Sequence, residues 1–293
     1  MISSDNFKLS NGEGTDFLKP MQTKSVNLIL TDPPYIISRK SGMQTLFDKV
    51  KEGSDLKTEA DWAKFKKTKK LKDDSKKADY LKYGSIYGKK YAVQTDYGHW
   101  DKDFDMAQLN FFVKEYFRVL KDGGTCIIFF DLWKISLLHD MMVAAGFKQL
   151  RMIEWIKTNP QPRNSSVNYL TNCREIAVLG IKKSKPTFNS KYDNGIYNYP
   201  LQGGKIRIHP TQKSLALFED IIKKHSNQGD IVLDTFLGAG TTAMACQNTG
   251  RICYGCERES KYFQTYYESL GVGRDEKEEE ESSDEEFVYE GEG

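Results

Sequence analysis

Apolar positions along this chain fall into two rhythms. Short apolar runs, too brief for helices, predict extended segments near residues 6–12, 26–31, 125–131, 151–157, 175–182, 230–234 and 251–256. Between them apolar residues recur at helical spacing. Leu109, Phe112, Val113, Tyr116, Phe117 and Leu120 form one stripe, with Gly123-Gly124 placed to stop that helix. Leu217, Phe218, Ile221 and Ile222 form a second, and Tyr262, Phe263, Tyr266, Tyr267 and Leu270 a third. Strands alternating with helices predict an α/β fold built on a mostly parallel, doubly wound sheet. The stripes are read as core and carry no chemistry.

Two strands end in residues that packing does not explain. Val26, Leu28, Ile29 and Leu30 account for a buried strand, but the chain then continues Asp32-Pro33-Pro34-Tyr35. Each proline removes a backbone donor and fixes φ, so the chain leaves the sheet in a rigid, extended form. The Asp32 carboxylate and the Pro33 carbonyl become neighbouring acceptors with the Tyr35 ring beside them. Two acceptors and a ring suit a flat heterocycle that carries an exocyclic NH2 group.

The second interruption is Asp230-Ile-Val-Leu-Asp234-Thr-Phe-Leu-Gly238-Ala-Gly240-Thr-Thr-Ala243, followed by Gly250-Arg-Ile-Cys-Tyr-Gly-Cys-Glu257. A strand feeds a glycine turn and a helix start, whose unpaired N–H groups can meet a ligand. A second strand then ends in an acid placed for ribose hydroxyls. Gly238-x-Gly240-x-x-Ala243 alone also fits a nicotinamide site, which keeps an oxidoreductase as an alternative. No Lys follows the glycines, which excludes a phosphate-cradling P-loop. Asp234 ahead of the turn favours a cofactor with a positively charged amino-acid end, as in S-adenosyl-L-methionine.

Together these motifs resemble the amino-methyltransferases of DNA, in particular the permuted β class with Asp-Pro-Pro-Tyr ahead of the glycine loop. The resemblance spans residues 6 to 270 and includes His209-Pro-Thr-Gln-Lys213 before the second helical stripe. The family's usual Pro after that Lys is Ser214 here, and its Asn-Gly-Asp is Asn11-Gly12-Glu13. The resemblance implies a circularly permuted Rossmann-like methyltransferase fold. It places S-adenosyl-L-methionine against Gly12, Glu13, Thr211, Lys213, Asp234, Phe236, Gly238, Gly240, Thr241, Thr242 and Glu257. It assigns catalysis to Asp32, Pro33, Pro34 and Tyr35, with no metal. The implied substrate is double-stranded DNA with a flipped-out adenine methylated at N6. Cytosine N4, an RNA substrate, or a non-catalytic DNA-binding subunit are the alternatives, and a homodimer is the implied assembly.

Composition fits this picture. The 293 residues contain no apolar run long enough to cross a membrane and no signal-peptide pattern, and five cysteines without framework spacing predict a reducing, cytoplasmic setting. Cys253-x-x-Cys256 on a strand is read as core packing rather than a metal site. The net charge of +2 hides a split. Residues 275 to 293 hold 11 acids and one Lys, which leaves 42 basic and 30 acidic residues, a net of +12, in the rest. Such an excess attracts polyphosphate. The tail, residues 271–293, has no apolar face and predicts disorder. It is a solubilising extension or a mimic of DNA that binds the protein's own basic surface or a basic partner.

Two further regions are candidates for DNA contact. The insertion 39–105 follows the Asp-Pro-Pro-Tyr motif. Its stretch 57–90 carries 12 lysines interleaved with Trp62, Phe65, Tyr80, Tyr83 and Tyr87. The lysines suit phosphates and the aromatics suit bases, although a solvated helical cap would look alike. Residues 158–208 occupy the place of the class's target-recognition region. They read as polar and irregular, with Asn159, Arg163, Asn164, Asn168, Asn172, Arg174 and Lys182-Lys183.

Overall fold

The structure is a computed structural model that describes residues 2–35, 57–84, 86, 104–160, 172–203 and 212–269. Thr211, Tyr87, the recognition candidates Arg163, Asn164 and Asn168, and the acidic tail lie outside the described residues.

The chain divides into two compact units, one of residues 1–34 and 105–293 and the other of residues 35–104. The larger holds a nine-stranded sheet. Its strands in chain order are β1 (Ile2–Ser4), β2 (Phe7–Asn11), β3 (Val26–Thr31), β4 (Leu120–Phe130), β5 (Lys148–Lys157), β6 (Arg174–Ile181), β7 (Ile196–Tyr199), β8 (Ile231–Asp234) and β9 (Ile252–Glu257). They lie in the order β1-β2-β9-β8-β3-β4-β6-β5-β7. The run β2-β9-β8-β3-β4 is parallel, β6 runs antiparallel between β4 and β5, and β5 pairs parallel with β7. The expected mostly parallel sheet is therefore present. The first long strand, β2, lies parallel beside the last described strand, β9.

Helices cover both faces. Leu28 and Leu30 of β3, Ile127 and Phe129 of β4, and Ile153 and Trp155 of β5 share one cluster. Leu217, Phe218, Ile221 and Ile222 of α6 (Leu215–His225) and Ala243 and Cys246 of α7 (Thr241–Thr249) complete it. The intervening Ile29, Ile128 and Phe130 are equally buried on the other face, as the two-residue side-chain period demands. That face is covered by α1 (Gly14–Leu18), α4 (Met106–Val119) and α5 (Ile135–Ala145). The last helix, α8 (Ser260–Ser269), buries Phe263 in the first cluster. Cys253 and Cys256 are buried free thiols of the core, as read from the sequence.

Three expectations change. Helix α4 ends at Val119, before the glycines, and Leu120 already begins β4. Gly123, at φ +81°, instead serves a bulge where the β3 register jumps from Leu120 to Thr125. Residues 158–208 hold, besides the strand expected at 175–182 and seen as β6, the further strand β7 in a stretch read as irregular. Lys182, read as a recognition candidate, is buried. Its ammonium donates to the Phe117 carbonyl at 2.5 Å and the Leu120 carbonyl at 2.7 Å, capping the C-terminal end of α4.

The smaller unit contains α2 (Glu59–Lys69) and α3 (Lys77–Tyr83). A capping box between Thr58 and Asp61 starts α2, and lysines in its last turn suit the negative end of the helix dipole. Trp62 is 3% exposed, stacks on Phe65, meets the Tyr80 ring at a tilt of 51°, and donates its indole N–H to Asp74 at 2.9 Å. Phe65 and Tyr80 stack at 4.4 Å. These three aromatics form a small core, which corrects the expectation that they stack on bases. Lys64, Lys67, Lys69 and Lys70 remain exposed.

Candidate active site

Strands β8 and β3 are parallel neighbours, so both motifs leave the sheet at the same carboxyl edge, where open α/β sheets bind ligands. A direct bond ties them. The Thr31 hydroxyl donates to Asp234 Oδ1 at 2.7 Å, one residue before Asp32. Both partners are buried.

On the cofactor side, Asp234 also accepts from the Thr242 hydroxyl at 2.5 Å and the Phe236 N–H at 3.0 Å. The carboxylate thus pins the loop between β8 and α7. Burial pushes its pKa up to about 6, against the pull of those donors. Gly240 caps α7 at φ +78° and Gly238 sits at +54°, a pair of left-handed positions suited to glycine. Glu257 ends β9 with one oxygen 2.7 Å from the Gly238 N–H and the other 2.8 Å from the Glu259 N–H. Burial raises its pKa as well. Its backbone carbonyl accepts from Gly12 N–H at 2.9 Å, which brings the β2 end to the same place. Glu13 precedes α1 and pairs with Arg258 at 2.9 Å. Phe236 packs 4.8 Å from Phe112. Thr241 and Thr242 are both buried in the first turn of α7.

These residues fit S-adenosyl-L-methionine. Among the described residues, a β-carbon built on Gly238 meets only one atom, the Phe236 carbonyl at 4.0 Å, so the turn presents open backbone. The Glu257 carboxylate engages two N–H groups with capacity for ribose hydroxyls.

On the acceptor side, Pro33 is buried and Asp32 is half-buried. Lys213 Nζ, whose side chain is only 8% exposed, lies 2.8 Å from Asp32 Oδ2. The same ammonium bonds Glu175, at the start of β6, and sits over the Phe129 ring. Glu175 in turn pairs with Lys157 of β5 at 2.6 Å. The two cations hold the Glu175 carboxyl below the ordinary range despite its burial. Tyr35 begins the smaller unit in the chain.

The described residues expected at the cofactor lie at or beside this edge, Lys213 on its acceptor side against Asp32. Glu175 and Lys157 were missed by sequence reasoning. The available signal was that 151–157 and 175–182 are strands with charged ends. Their pairing required knowing that β6 runs antiparallel, so that its first residues reach the edge where its neighbours end.

A Rossmann-like sheet with an adenosyl-type glycine loop joined to an Asp-Pro-Pro-Tyr acceptor motif defines an S-adenosylmethionine-dependent methyltransferase. The comparisons agree. Residues 26–268 match the N6_N4_Mtase family, described as DNA methylase, and the chain belongs to that family. It is 28% identical over 287 residues to the Type II methyltransferase M2.DpnII of Streptococcus pneumoniae, covering 89% of this chain and 85% of that protein. It is 27% identical over 277 residues to the Type II methyltransferase M2.MboI of Moraxella bovis, covering 88% and 85%. Among solved structures it resembles the M1.HpyAVI–SAM complex, with a TM-score of 0.57, 26% identity, and coverage of 90% of this chain and 100% of that one. No helix among the described residues is long and apolar enough to cross a membrane.

Proposed function

We propose that this methyltransferase transfers a methyl group to the N6 amine of an adenine flipped out of duplex DNA, as a β-class enzyme. The observation that carries the reading is the 2.7 Å bond from Thr31 to Asp234, which ties the acceptor strand to the cofactor strand at one edge. The order of the motifs, Asp-Pro-Pro-Tyr first and glycine loop second, supports the β class. Asp rather than Ser at position 32 favours adenine, by resemblance.

An aromatic NH2 is a poor nucleophile because its lone pair is delocalised into the ring. Asp32 and the Pro33 carbonyl accept its two N–H hydrogens, which turns the nitrogen towards sp3 and frees the lone pair. S-adenosyl-L-methionine supplies a methyl carbon on a positively charged sulfur. When bound, the cofactor would give up that methyl group to the amine nitrogen, and the carbon–sulfur electron pair would stay with sulfur. The cationic amine then loses a proton, through Asp32, to water. Asp32 acts mainly by preorganised charge, stabilising the positive charge that grows on nitrogen. The base reaches Asp32 only outside the duplex stack, with Tyr35 as its stacking partner. Asp234 fixes the glycine loop around the methionine end, and Glu257 takes the ribose.

Digestion of mixed-sequence duplex DNA to nucleosides, after incubation with methyl-labelled S-adenosyl-L-methionine, tests the base. Label in N6-methyldeoxyadenosine supports the reading, whereas label in N4-methyldeoxycytidine assigns the enzyme to the other base. Label in neither, with the labelled cofactor bound, overturns DNA amine methylation.

A further inference from the structure

The acceptor end holds more than one ion pair. Asp32, Lys213, Glu175 and Lys157 form a chain of alternating sign, drawn from β3, the segment before α6, β6 and β5. Its formal charge is zero. Lys213 is the most enclosed member, with the Phe129 ring 5.3 Å from its ammonium. We propose that Lys213, clamped by Glu175, is a positioning residue that keeps the Asp32 carboxylate ionised and fixed in rotation for the target amine. The proposal rests on the reading of Asp32 given above.

Two effects act on Asp32. An ammonium at 2.8 Å from Oδ2 favours the charged carboxylate, whose two oxygens can accept from an ammonium and an amine at once. A lone cation there would also oppose the positive charge that grows on the amine during transfer. Glu175 removes that opposition, because its own charge balances Lys213 while leaving the Lys213 N–H bond to Asp32 in place. Lys157 then balances Glu175. Among the described residues, the charged groups near this chain include Asp234 on β8, which repels Asp32, and the Arg174–Glu154 pair at 4.0 Å beside Glu175.

Lysine in this place is an S-adenosylmethionine contact by resemblance, so the two roles separate by experiment. Full-length protein labelled with ¹³C at Asp carboxyls is titrated by NMR, with Asp32→Asn to assign the resonance, for wild type, Lys213→Met, Lys213→Arg and Glu175→Gln. Cofactor affinity and kcat are measured on the same samples. Lys213→Met is expected to raise the Asp32 titration midpoint by at least one pH unit and to lower kcat about 100-fold, with cofactor Kd unchanged. Lys213→Arg keeps the midpoint near wild type. Glu175→Gln is expected to do the opposite of Lys213→Met at Asp32, with a midpoint at or below wild type, yet to lower kcat about tenfold. A merely structural role moves neither midpoint. Equal Asp32 midpoints in wild type and Lys213→Met overturn the proposal, as does a weakened cofactor Kd with no change at Asp32. If no variant, wild type included, methylates DNA, the midpoints still decide the positioning role and the functional reading fails by itself.

Discussion

Asp234 and Glu175 lie on the same edge of one sheet, separated by β3 and β4, and both are withdrawn from water. Their carboxylates are satisfied in opposite ways. Asp234 meets two hydroxyls and one backbone N–H, all neutral donors, and its pKa rises to about 6. Glu175 meets two ammonium groups, and its pKa falls below the ordinary range. Neutral donors orient an acid without cancelling the cost of burying its charge, whereas cations do both. The difference matches the tasks assigned to the two ends. A buried negative charge that meets no counter-ion among the described residues suits a cationic cofactor, while a compensated chain suits an amine that must gain positive charge only in passing.

This contrast can be broken at several points. The largest effect is expected from Asp32→Ala, which removes the acceptor of the target amine and lowers methyl transfer by about 1000-fold. Cofactor affinity, measured by calorimetry, stays unchanged. Next is Asp234→Ala, which leaves the Thr31 and Thr242 hydroxyls and the Phe236 N–H without their acceptor. Each buried orphan costs about 1–3 kcal/mol, so the variant loses stability in denaturant and binds cofactor at least tenfold more weakly.

The pH dependence of stability separates the two acids by sign. Asp234 binds a proton more readily folded than unfolded, so its contribution falls as pH rises from about 4 to about 6. Two units correspond to about 3 kcal/mol. Unfolding free energies of Asp234→Asn relative to wild type should therefore improve across that window. Glu175 behaves inversely, since its stabilisation is present above the ordinary Glu range and is lost as pH falls through its lowered value. Glu175→Gln should flatten the acid limb of the stability curve, and a parallel shift of both variants would refute the contrast.

The smallest effect concerns the lysine-rich unit. Lys66 is paired with Asp74 at 2.7 Å, so the exposed Lys64, Lys67, Lys69 and Lys70 are the better test of phosphate binding. Changing these four to Glu should reduce the salt slope of DNA binding by about 0.9 for each phosphate that is no longer neutralised, with cofactor affinity intact. An unaltered slope would remove this unit from the DNA surface.

What was legible in the sequence were features with local signatures. The β3 run ending in Asp32-Pro33-Pro34 and the turn from Asp234 to Gly240 can be read because prolines, glycines and apolar runs act over a few residues. Glu175 and Lys157 could not be, since their pairing depends on the direction of β6. Lys182 looked like one more surface lysine because its carbonyl partners lie more than sixty residues away. Trp62 and Tyr80 looked like base-stacking residues because the loop that folds them together has no apolar pattern. Strand β7 was missed for its brevity and its half-exposed Ile196.

The central claim is a division of labour along one edge, with Asp32 serving the target amine and Asp234 the cofactor. The most direct measurement is a paired one, in which Asp32→Ala and Asp234→Ala are each assayed for S-adenosyl-L-methionine binding and for transfer of labelled methyl to duplex DNA. The account predicts that Asp32→Ala binds cofactor like wild type and transfers methyl about 1000-fold more slowly, while Asp234→Ala binds at least tenfold more weakly and regains part of its transfer at high cofactor concentration. Transfer by Asp32→Ala at the wild-type rate, or wild-type cofactor affinity in Asp234→Ala, would contradict it.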